Sequence, residues 1–149
     1  MLELGADKVK DAALLAARIL LMLLFVRFGW DKLTQFGDTI GYMTQTGVPD
    51  PSIAAVFAIG IELFIGLGIA VGLLTRLLAL LMAVYCLVTA IIGHPFWDLS
   101  GAAAYDAELN FFKNISLMGG LLALYVAGPG RYSVDATIQI EEARVERTS

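Results

Sequence analysis

Four apolar runs, Ala12 to Gly29, Ile53 to Leu74, Leu77 to Ile92 and Phe111 to Ala127, constrain this chain more than any other feature. At about 1.5 Å per residue, each is long enough, or nearly so, to cross roughly 30 Å of hydrocarbon as a helix. Membrane strands need only about ten residues and alternate in polarity, and these runs are far longer without alternating. Composition agrees, since 58% hydrophobic and 16% charged residues with a mean hydropathy of +0.77 lie outside the range of soluble domains. The expected fold is all-α, an integral membrane four-helix bundle.

Local signals sharpen the boundaries. A secretory signal peptide is the alternative for the first run, but two acids in "MLELGADKVK", the length of the run and the lack of a small-residue cleavage pattern favour a retained helix. Asp50-Pro51 offers an N-cap and a first-turn proline for the second span, Gly72 breaks it, and Gly128-Pro129-Gly130 stops the fourth. "GLLTR" is then a tight hairpin between the second and third spans. Leu33, Phe36, Ile40 and Met43 recur at spacings of three and four, which predicts a short interfacial helix between the first two spans. Residues 93–110 are expected to be a connection rich in interfacial aromatics. A single transmembrane domain over residues 1–135 would precede a charged tail, residues 136–149, helical or frayed.

Basic residues set the expected orientation. Lys8, Lys10, Arg76, Arg131, Arg144 and Arg147 fall on the side of both termini, against Arg27, Lys32 and Lys113 opposite, which favours cytoplasmic termini. The net charge of −4 and the scatter of acids leave no basic surface for nucleic acid. The lone Cys86 allows no internal disulfide or CxxC pair and reads as core filler. One histidine, His94, supplies neither bis-His haem ligation nor a zinc set, so no metal site is expected. With no nucleophile-base pair and no phosphate loop, autonomous catalysis is not expected either.

Two charges fall inside the spans. Glu62 lies about 16 Å from the outer end of the second run, close to mid-membrane, where a lone charge costs about 2.5–3.5 kcal/mol. Arg18, roughly 10 Å into the first run from the other side, is the expected partner, and Ala55, Ala58 and Gly66 share the face of Glu62 and would let a neighbouring helix approach. The intramembrane ion pair Arg18–Glu62 would either fix helix register or serve function, and a protonated, hydrogen-bonded Glu62 is the third option. Toward the other side, Lys32, His94, Trp97, Lys113 and Asn114 form a candidate pocket for a quinone or a small anion. The plain alternative is a set of snorkelling cations within an aromatic belt.

Read in order, "RILLMLLFVRFGWDKL", "GVPDP", "IELFIGLGIAVGLLTR", "HPFW" and "FFKNISLMGGLLAL" running into "GPGRYSVD" resemble the DoxX family of four-helix bacterial inner-membrane proteins. The resemblance spans Arg18 to Asp135, and Arg18, Gly29, Lys32, Glu62, Gly72, Lys113, Asn114, Gly128 and Asp135 stand at its recurrent positions. It implies an accessory membrane subunit of a quinone-linked oxidoreductase, of the quinol oxidase or thiosulfate:quinone oxidoreductase type, with no redox centre of its own. Quinone is the one cofactor it implies, and the expected partners are membrane lipid, quinone and other membrane or redox proteins. The competing reading is a scaffold or assembly partner whose helix faces bind other membrane or redox-stress proteins or a second copy of the chain. A small-anion carrier ranks third, because four short helices without a repeat leave little room for alternating access.

Overall fold

The computed structural model describes residues 2–147 and, within the first helix, side chains from residue 7 onward. The described chain is helical throughout its regular structure: α1 (Leu2–Thr34), α2 (Phe36–Gln45), α3 (Pro51–Val71), α4 (Thr75–Gly93), α5 (Gly101–Ala127) and α6 (Val134–Glu146). The stretches Asp7–Thr34, Pro51–Val71, Thr75–Asp98, which runs past α4 into the turn after it, and Gly101–Ala127 are long and apolar enough to cross a membrane.

Each span turns a narrow stripe inward. On α1 the stripe is Arg18, Met22, Phe25, Gly29 and Lys32, at spacings of three and four, so one helical face meets the bundle. On α3 it runs through Ala55, Ala58, Glu62, Gly66 and Ile69. Met22, Phe25, Ile69, Met82, Cys86 and Leu121 form the centre of the core, so Cys86 is packing material as its context predicts. Two glycines of α3 are packed inside the bundle: a Cβ on Gly66 would lie 3.3 Å from Val26 Cγ2, and one on Gly68 would lie 2.6 Å from Leu78 Cδ1. These two glycines close on α1 and α4 of the same chain.

The hairpin between α3 and α4 forms as expected. Leu73 N donates to Gly68 O at 2.8 Å and Gly72 N to Ile69 O at 3.1 Å, a Schellman motif that requires the left-handed Gly72, φ +79°. α2 is the expected interfacial helix. Asp50, in contrast, has φ 44° and makes no side-chain cap, and Pro51 alone marks the start of α3. The fourth span begins ten residues earlier than its apolar run, because "GAAAYDAELN" is alanine-rich and helix-forming although too polar to count as membrane core. The expected connection therefore shrinks to a short turn at Phe96–Asp98 and its flanks.

α6 begins at Val134, where Ser133 Oγ accepts from Ala136 N at 3.1 Å. The residues before it return to the first helix, since Arg131 N donates to Asp11 Oδ1 at 3.0 Å. The last two residues of the expected tail lie outside the described residues.

Candidate ligand-binding site

The acid in the third helix sits on an anomaly in its own backbone. Residues Ile61–Ile65 form a π-turn, the wider i→i+5 winding that inserts one residue into a helix and recurs at functional sites. Glu62 points inward from this turn and is buried. Directly across stands Gly29, where a Cβ would come within 2.9 Å of Glu62 Cβ and 3.1 Å of Leu63 Cγ. The missing side chain lets α1 close on α3, and Lys32, almost one turn further along α1, reaches the carboxylate. Its Nζ donates to Oε1 at 3.0 Å and Oε2 at 2.7 Å. Tyr85 of α4 donates its hydroxyl to Oε1 at 2.6 Å. Three charge-assisted contacts thus hold the carboxylate, which is how a buried charge is made tolerable.

The ion pair expected from the sequence is therefore not the one formed. Depth counted from the ends of separate apolar runs misaligned the helices, because α1 continues past its run at both ends. Gly29 is level with Glu62, and Arg18 lies eleven residues back along α1, roughly 16 Å away and beyond the reach of its side chain. Arg18 instead lies fully buried against Gly72, at the end of α3 nearest the termini, and donates Nη2 to Tyr132 O. Asp135 completes this second polar knot: its Oδ1 accepts from Leu74 N at 2.7 Å and its Oδ2 from Thr75 N at 2.9 Å, while its own N donates to Gly72 O at 3.0 Å. The carboxylate caps α4 from a distant part of the chain and complements the positive end of that helix.

Above the Glu62 knot, on the side away from the termini, a cavity of about 780 Å³ opens between α1, α2, α3, α4 and α5. Its apolar wall includes Phe25 and Phe28 of α1, Tyr42 and Met43 of α2, Phe57 of α3 and Val88 of α4. Polar groups converge on it from three directions. The first is the Lys32–Glu62–Tyr85 set. The second is Thr89 of α4, whose Oγ1 lies 3.4 Å from Oδ1 of the buried Asn114. The third is His94, the residue that ends α4, together with Lys113 of α5, whose Nζ donates to Asn110 Oδ1 at 2.5 Å. A mostly apolar hollow of this size with few, convergent polar groups has the form of a small-molecule site.

Of the five residues expected in a pocket, Lys32, His94, Lys113 and Asn114 line this cavity and Trp97 does not. The turn after Pro95 swings Trp97 away, and its ring packs edge-on against Phe96 at 5.2 Å and Phe111 at 5.9 Å. That aromatic cluster is separate from the cavity. Arg27 also stays outside, paired with Asp31 on the exposed side of α1. Ser116 is exposed and donates to Phe112 O at 2.9 Å, whereas Ala107, Asn114, Leu121 and Leu124 form the inward face of α5. Sequence reasoning missed Tyr85 and Thr89, although a phenol and a hydroxyl four residues apart inside an apolar run mark one face of α4 as polar.

The DoxX family profile matches residues 13–95. The inner membrane protein YphA of Escherichia coli K12 is 43% identical over 126 residues, covering 85% of this chain and 90% of that protein. The inner membrane protein YqjF of the same organism is 41% identical over 128 residues, 86% of this chain and 93% of its own length. More distantly, the ER-derived vesicles protein ERV29 of Saccharomyces cerevisiae is 23% identical over 129 residues, which is 87% of this chain and 34% of that protein. No solved structure matches the chain. With the family profile covering more than half of its length and two inner-membrane relatives aligned along most of it, this multi-pass inner-membrane protein belongs to the DoxX family.

Proposed function

We propose that the chain is an accessory membrane subunit of a quinone-linked oxidoreductase that holds a quinone ring in the cavity above Glu62, the electrons being carried by a partner protein. One observation carries this reading: a hollow of about 780 Å³, walled by aromatic and aliphatic side chains, is met by lysine, histidine and amide donors suited to carbonyl oxygens. Phe25, Phe28 and Phe57 supply ring contacts, and Lys32 keeps one N–H beyond the two engaged by Glu62. With the termini cytoplasmic, as the basic residues favour, the cavity faces the outer leaflet, where a membrane-dissolved quinone has access.

Calorimetric titration of the purified protein in nanodiscs with a short-chain quinone tests the proposal. Saturable one-to-one binding, lost when Val48 on the cavity wall is replaced by tryptophan, is expected. Absence of heat for both the oxidised and the reduced ring refutes it. Recovery of stoichiometric membrane proteins in mild detergent, without ring binding, would transfer the role to scaffolding.

A further inference from the structure

The charges around the cavity do not balance. Its ionisable lining consists of the cations Lys32 and Lys113, the carboxylate Glu62, the imidazole His94 and the phenols Tyr42 and Tyr85. Glu62 is committed to Lys32, with the Nζ–Oε2 contact at 2.7 Å. Lys113 touches only a neutral amide, the side chain of Asn110, and forms no ion pair among the described residues. An ammonium thus faces an apolar, aromatic-walled space with no counter-charge and with His94 on the same wall. Lys113 is an exposed residue of the cavity lining, so its charge is open to an incoming anion.

We infer that the cavity selects its ring ligand in a singly anionic form, an acidic hydroxyquinone whose ionised oxygen meets Lys113, in preference to a neutral quinone. A delocalised ring anion satisfies both halves of the site at once. Its planar body lies against Phe28 and Phe57, its charge neutralises Lys113, and a carbonyl accepts the remaining N–H of Lys32. The inference rests on the quinone reading above and deepens it.

The test compares hydroxynaphthoquinone, an anion at neutral pH, with neutral methylnaphthoquinone on the full chain in phosphatidylcholine nanodiscs. The anion is expected to bind about tenfold tighter, as a charge-assisted hydrogen bond provides. Lys113→Gln should abolish that preference, bringing the affinities for the two rings to within about twofold of each other. Equal affinities for the two rings, or a preference untouched by Lys113→Gln, overturn the inference and leave the quinone reading standing. Failure of both rings to bind overturns the quinone reading and the inference together. Loss of hydroxynaphthoquinone binding when phosphatidylglycerol replaces phosphatidylcholine assigns the cation to a lipid headgroup and also overturns it.

Discussion

Replacing Lys32 with methionine removes the only cation bonded to Glu62 among the described residues while keeping an apolar stem of similar length. Leaving one member of a buried ion pair alone costs about 3–5 kcal/mol. Two features lower that figure here: the Lys32 side chain is 27% exposed, so water from the cavity can replace it, and Tyr85 still donates at 2.6 Å. The expected loss for Lys32→Met is therefore about 2–3 kcal/mol. Glu62→Gln alone should cost about 1 kcal/mol, because the amide oxygen keeps the Tyr85 bond and the ammonium can turn toward the cavity. In the double variant neither charge is stranded, and about 1 kcal/mol is again expected, which makes the coupling energy about 2–3 kcal/mol. Reversible unfolding of the four proteins in mixed detergent and SDS micelles, followed by circular dichroism, reads each term. Additive losses, with the double variant the least stable of the set, would refute the claim that these groups neutralise each other.

Other outcomes follow from the same contacts. Gly72→Ala should cost about 2–5 kcal/mol in the same assay, combining left-handed strain with collision of its Cβ against Arg18 and Ser133. Asp135→Ala should cost about 1–2 kcal/mol through the loss of two backbone acceptor contacts at the start of α4, with hydrogen exchange accelerating at Leu74 and Thr75 before it does in the core. Gly29→Ala should force α1 away from α3 and lengthen the Lys32–Glu62 contact, at about 1–3 kcal/mol. Trp97→Phe should leave quinone affinity within about twofold in calorimetry, since the ring lies outside the cavity.

The four spans were legible because hydrocarbon enforces one physical rule on every turn of each helix, and the interfacial helix followed from its own periodicity. Inward faces were legible too: Ala55, Ala58, Glu62 and Gly66 do share the stripe of α3 that meets the bundle. Which rung of one helix meets which rung of the next was not, and depth along separate runs therefore pairs Glu62 with Arg18 instead of Lys32. Register is set by side-chain interlocking, here the bare Gly29 against Glu62 and the bare Gly72 against Arg18, and a single sequence shows the glycines without showing what fills them. The same ambiguity hid Tyr85 and gathered Trp97 into a pocket from which the turn at Phe96–Asp98 removes it.

The capping of α4 by Asp135 has a consequence for biogenesis. The fourth membrane helix ends at Ala127, eight residues before Asp135, so when the last span is complete two amides at the head of α4 still await their acceptor, and Arg18 still awaits Tyr132 O. Insertion and completion are thereby separated in time. A copy ending between Ala127 and Asp135 would hold all four spans with this inner latch undone.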